Sequence, residues 1–206
     1  MKRFLFALVV FAVALLILLI SIFDSSAITY SLSQVPPQPF EGSKESEVDY
    51  IFPYAGNVLP DSPLWGLKAL RDKIWFGMTT SPLRRAQLAL LFADKRIVMA
   101  ENLFRKGEHD IAMSTFLKGE RYLPIAVAEE KLARDRGINT DAFLEKLATS
   151  ALKHKEVAEN LIQLAPDNVG PLIISTEVYA DNTYEAARNA LNSRGLPVPK
   201  NPFDGD

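Results

Sequence analysis

The chain has 206 residues, 48% of them hydrophobic, with 23 basic and 25 acidic side chains for a net charge of −2. So even a balance supplies no basic stripe to neutralise phosphates, which argues against nucleic acid as a partner. There is no cysteine, and its absence excludes disulfides, thiol catalysis and thiolate metal sites together.

Lys2 and Arg3 stand before an apolar run, Phe4–Phe23, that contains no charged, histidine or amide side chain and is closed by Asp24. At ~1.5 Å of rise per residue, about 20 helical residues match a hydrocarbon core of roughly 30 Å. No Lys or Arg follows the run until Lys44. This asymmetry predicts residues 1–3 as a cytoplasmic stub, 4–23 as a transmembrane signal-anchor, and the remainder outside the cytoplasm. A stub of three residues is too short to carry an output domain. The run exceeds the ~7–15 apolar residues of a cleaved signal peptide, which favours a retained anchor in a single-pass membrane protein. Ser25, Ser26 and Ala27 keep the alternative open, a chain secreted after cleavage near Ala27. Beyond Asp24 the chain has 21 basic and 24 acidic residues, about −3, and a length suited to one domain.

Residues 24–58 read as a flexible linker and an extended lead-in. Ser31 to Val48 is poor in large aliphatics and holds Pro36, Pro37, Pro39 and Gly42. A flexible chain of ~20 residues spans roughly 25 Å, so the domain hangs close to the membrane. Tyr50, Phe52 and Tyr54 alternate, which puts three rings on one side of an extended segment. Packing against the following domain is favoured over a partner-binding strip.

Residues 59–195 carry helical punctuation, and the fold class expected is all-α: an N-terminal transmembrane helix, a Pro-rich linker, then an antiparallel bundle of four to five helices. Asp61 or Ser62 caps a first helix that starts at Pro63 and runs to about Met78, with Leu64, Leu67, Leu70, Ile74 and Met78 turned inward. Ser81 and Pro82 open a second, which Gly107 stops. Its pattern is the clearest in the chain: Leu83, Leu90, Ile97 and Phe104 recur every seven residues, with Ala86, Ala93 and Ala100 between them. Large and small residues alternate along one seam, as expected of a central helix, with Arg84, Arg85, Lys95 and Arg105 toward solvent. The third helix extends from Asp110 to about Arg136 and contains Pro124, so a kink or two shorter helices are expected. Thr140 caps the fourth, which reaches Ala165 with a stripe of Leu144, Leu147, Ala151, His154, Ala158, Leu161 and Ala165. The fifth begins near Pro171 and ends at Gly195, with a possible interruption at Asp181–Asn182. Residues 196–206, with three prolines, read as a disordered tail.

Few residues suggest chemistry. His154 falls on the apolar stripe of the fourth helix; a satisfied core histidine is favoured there over a pH sensor or general base. His109 reads as a solvent-facing turn residue. Neither histidine fits HExxH or Glu-x-x-His spacing, no EF-hand loop occurs, and no G-x-S-x-G is present. Glu129 and Glu130 point about 100° apart on a helix and read as a solvated face. No catalytic residue, metal ligand or cofactor-binding residue is assigned, and no cofactor is expected.

The segment Leu59-Pro60-Asp61-Ser62-Pro63-Leu64-Trp65-Gly66-Leu67-Lys68 resembles the opening motif of a bacterial domain-of-unknown-function family, number 5667, found in membrane-anchored or exported proteins. The resemblance continues through Ala93-Asp94-Lys95-Arg96, Lys118-Gly119-Glu120-Arg121-Tyr122 and Leu152-Lys153-His154-Lys155-Glu156-Val157, and weakens in the fifth helix. It implies an all-helical extracytoplasmic domain and brings no activity, substrate or catalytic residue.

The residues themselves suggest one interhelical polar network, in which Asp94 or Glu120 pairs with His154 or Lys118. Such a network fixes which helix faces which more than it adds stability. The function expected is therefore that of a membrane-anchored, non-enzymatic interaction or scaffold module of the cell envelope, with an envelope protein or wall polymer as partner. A sensory or regulatory ectodomain acting through a membrane partner is the alternative.

Overall fold

The computed structural model describes Val10 and residues 48–204. The expected stub, the transmembrane segment apart from Val10, the cleavage site and the proline-rich stretch of the linker lie outside them. Among the described residues no helix is long and apolar enough to cross a membrane. Those from 48 onward belong to one compact unit, Val35–Asp206.

The described residues form seven helices and no strand, so the domain is an all-α bundle. They are α1 (Trp65–Met78), α2 (Pro82–Arg105), α3 (His109–Glu120), α4 (Leu123–Asp135), α5 (Asp141–Leu164), α6 (Gly170–Thr176) and α7 (Val178–Asn192). Local chemistry sets most of their ends. Pro82, Pro124 and Pro171 lie in first turns, where a missing N–H costs nothing. Gly107, Gly137 and Gly195 stop helices at φ of +80°, +78° and +67°, a region closed to most side chains.

Seven helices replace the expected five because two long segments divide. Pro124 cannot donate to the carbonyl of Glu120, and the chain turns through Arg121 and Tyr122, whose N–H bonds back to Gly119. The second division falls at Glu177 and not at Asp181–Asn182, which sit inside α7. Ile173, fully buried, holds α6 in the core, while α7 turns Ala180, Thr183, Tyr184 and Ala187 inward. Thr140 takes the N-cap position of α5, as expected, but its side chain makes no capping bond. Its hydroxyl donates to Glu130 (2.6 Å), and Asn139 accepts from the N–H of Asp141 instead.

Helix α2 is central. Ala86, Leu90, Ala93, Ile97 and Ala100 are fully buried, Phe104 is nearly so, and only Leu83 remains partly open. It packs against α3, α4 and α5, and α5 packs in turn against α7. The apolar interior has two main parts. One gathers Leu90, Leu123, Leu144, Leu147 and Leu191, and the other Ile97, Leu103, Phe116, Leu161 and Ile173.

Three expectations are corrected here. Leu64, Leu67, Leu70, Ile74 and Met78, expected inward, all face solvent, Leu67 at 71% exposure. Helix α1 has a second apolar face, and the bundle takes that one: Trp75 and Phe76 pack edge-on or tilted against Phe92, and Phe76 against Tyr122. The linker stops short of Val48, which is buried and donates its N–H to Glu156 (2.9 Å). Tyr50 and Phe52 also lie on the bundle, whereas Tyr54 points outward and donates to Asn57. Residues 196–204 are not a loose tail: Leu196, Val198 and Phe203 pack on the core, and Pro199 accepts from the Tyr184 hydroxyl (2.9 Å).

Candidate functional site

The polar network sits where the two apolar parts meet. Along α2, Asp94 lies between Ala93 of one part and Ile97 of the other; along α5, His154 lies between Leu152 and Val157 in the same way. Glu120 enters from α3. It can reach because Gly119 lets α3 approach α2 closely: a Cβ there would stand 3.0 Å from Arg96 Cβ and 3.4 Å from the Ala93 carbonyl oxygen.

The imidazole of His154 is held between two carboxylates, with Nδ1 2.6 Å from Glu120 Oε1 and Nε2 3.1 Å from Asp94 Oδ1. A carboxylate only accepts, so both ring nitrogens donate and the ring is an imidazolium. Burial alone pushes this ring toward neutrality. The charge of Glu120, hydrogen bonds to Asp94 and Glu120, and the charge of Asp94 outweigh it and raise the pKa to about 9. Glu120 is the last residue of α3, where the helix dipole disfavours an anion, and the imidazolium offsets that too.

Two further groups complete the layer. Ser150, one turn before His154 on α5, donates to Asp94 Oδ1 (2.7 Å), and Tyr50 of the lead-in donates to Asp94 Oδ2 (2.6 Å). Phe52 sets its ring edge-on to His154 at 5.3 Å. The lead-in thus closes the layer, and His154 is 0% exposed. Within the cluster both imidazole nitrogens are committed to carboxylates, and Ser150 donates to Asp94 and not to the imidazole.

Of the residues expected in a network, the structure brings Asp94, Glu120 and His154 together and leaves Lys118 exposed at the surface. Tyr50 and Ser150 were missed. A serine on the buried stripe one turn from a histidine was the available signal; for Tyr50, nothing local showed which group its hydroxyl would find. Two other expectations are corrected. Glu130 is buried and accepts from Thr140 and Arg134, and Glu129 pairs with Arg85 (2.6 Å), so neither belongs to a merely solvated face. His109 is half-buried against Phe104. Among the described residues no group of three or more His, Asp or Glu side chains is placed to hold a metal ion.

Fold and site together define a helical bundle locked by an internal histidine–carboxylate layer. The chain belongs to the family described as Domain of unknown function (DUF5667), whose match covers residues 57–168, from just before α1 to just past α5. That span includes Asp94, Glu120, Ser150 and His154 but not Tyr50, α6 or α7. No curated protein and no solved structure matches the chain.

Proposed function

We propose that this protein is a membrane-anchored, extracytoplasmic module that binds another component of the cell envelope and performs no chemistry of its own. One observation carries the reading: the helix that opens the family segment, with its N-cap residue Leu64, turns five large apolar side chains outward, Leu64, Leu67, Leu70, Ile74 and Met78. A contiguous apolar face of this kind on a soluble domain marks an interaction surface. Two features favour it further. The histidine–carboxylate cluster is closed inside the bundle with both imidazole nitrogens committed. The apolar run Phe4–Phe23, preceded by Lys2 and Arg3, supports placement at a membrane.

The test combines topology with capture. A reporter fused after Asp206 is expected to be active outside the cytoplasm, and the chain should resist alkaline extraction from membranes. A photo-crosslinker placed on α1 in intact cells should recover one reproducible envelope component. A cytosolic reporter overturns the placement. Failure of capture, combined with turnover of a substrate by the purified protein, overturns the binding role.

A further inference from the structure

We propose that α1 and the cationic cleft behind it form a docking surface for an anionic lipid bilayer, which lays the bundle on the membrane that its anchor enters. The proposal rests on the anchored reading above and names the component that covers the α1 face. Leu67, Leu70, Ile74 and Met78 recur at helical spacing and are each 46% exposed or more. Exposed Arg71 and Lys73 flank them. On the other side of α1, a cleft against α2 is lined by Lys68, Arg71, Lys95 and Arg96, with Asp72 as its one acid and Trp65 and Trp75 on its walls.

Positive charge in this cleft is under-compensated. Lys95, expected toward solvent, is half-buried, and burial holds its ammonium below the usual range against only partial support from Asp72. Arg96 stacks on Tyr122 at 4.5 Å, and its Nη1 is buried with no hydrogen-bond partner among the described residues. Lys68 is satisfied by the carbonyls of Ala55 (2.8 Å) and Val58 (3.0 Å), which ties α1 to the lead-in. An apolar face, flanking cations and tryptophans at the border are the composition of a helix lying in a bilayer interface.

Charge decides between occupants. On α1 and in the cleft behind it five cations, Lys68, Arg71, Lys73, Lys95 and Arg96, stand against one acid, Asp72, which pairs with Arg71 (2.6 Å), in a chain whose net charge is −2. This face therefore carries a positive excess. A second copy would set Arg71 and Lys73 against a surface of the same sign, whereas anionic headgroups attract each cation near the surface. Chain length is compatible with the contact: only 24 residues, Asp24–Glu47, separate the apolar run from the first described residue of the bundle.

The absence of native cysteine makes the test direct. Full-length chain carrying Leu70→Cys, labelled with an environment-sensitive nitrobenzoxadiazole dye, is reconstituted into nanodiscs of phosphatidylcholine with or without phosphatidylglycerol. A Leu132→Cys label on exposed α4 serves as control. The α1 label should brighten severalfold and shift to the blue only in anionic discs, high salt should reverse this, and Arg71→Glu with Lys73→Glu should abolish it; the control label should not respond. An α1 label that stays dim in inserted, anionic discs overturns the proposal and leaves the anchor reading intact. A label already bright and blue-shifted in discs of phosphatidylcholine alone, and unchanged by phosphatidylglycerol or salt, overturns it in favour of a second copy or another segment of the chain. A chain that never enters discs sinks the anchor reading and the docking proposal with it.

Discussion

At position 154 an imidazole keeps both protons inside a helical core because Glu120 and Asp94 stand on either side of it. Removing the cation leaves two buried carboxylates facing each other, so His154→Gln should destabilise the domain by about 3–5 kcal/mol in urea unfolding. Adding Asp94→Asn to that variant should recover part of the loss, since the repulsion goes with the charge. The ring titrates at about 9 in the fold against an ordinary 6.5. Its contribution, of order 3 kcal/mol, is therefore fully present below about pH 6.5 and lost as pH rises through about 9. Unfolding measured from pH 6 to 10 should show this decline in the wild type and not in His154→Gln. Glu177 acts at lower pH. Burial first, then the neighbouring Glu159, raises its pKa from 4.5 to about 7, over the opposing pull of Lys155. The associated stability is present below 4.5 and lost as pH rises through 7, so Glu177→Gln should raise the melting temperature at pH 8 and flatten the profile between those values.

Among the elements, α2 and α5 owe their roles to periodicity, and α1 does not. The heptad seam of α2 and the stripe of α5 are each buried nearly throughout, because every face those stripes could meet is supplied by other helices. Helix α1 offers two apolar faces to a single neighbouring surface. The aromatic face wins because Trp75 and Phe76 find rings at Phe92 and Tyr122, a fit that no count of leucines reveals. None of its residues is fully buried. Its amides should accordingly exchange with deuterium faster than those of α2 and α5 when free of lipid. Glycine substitutions separate crowding from helix propensity. Gly66→Ala meets nothing within 4 Å and should stabilise by up to about 1 kcal/mol. Gly119→Ala meets Arg96 Cβ at 3.0 Å and the Ala93 carbonyl at 3.4 Å; here overpacking of about 1–3 kcal/mol should exceed the propensity gain, for a net loss on thermal unfolding.

For the whole molecule, the residues after Gly195, which read as loose, pack on the core, as do Tyr50 and Phe52 of the lead-in, where packing was expected. A chain ending at Gly195 would uncover the ground beneath Leu196, Val198 and Phe203 and free the Tyr184 hydroxyl. About 2 kcal/mol of partial burial lost in this way should lower the melting temperature by roughly 4–8 °C in a domain of this size. Family membership, the all-α class and most helix ends could be read from residues alone, because proline's missing N–H and glycine's tolerance of positive φ act within a turn or two. The same holds for Asp94, Glu120 and His154 as members of a network, since a charged or titratable group beside an apolar seam must find a partner. What tertiary structure alone decided was which face of each element turned inward. Tyr50 found Asp94 across 44 residues, Lys118 stayed at the surface, and α1 turned its leucines out. Burial depends on the surface a neighbour presents, and that surface exists only once the helices have packed.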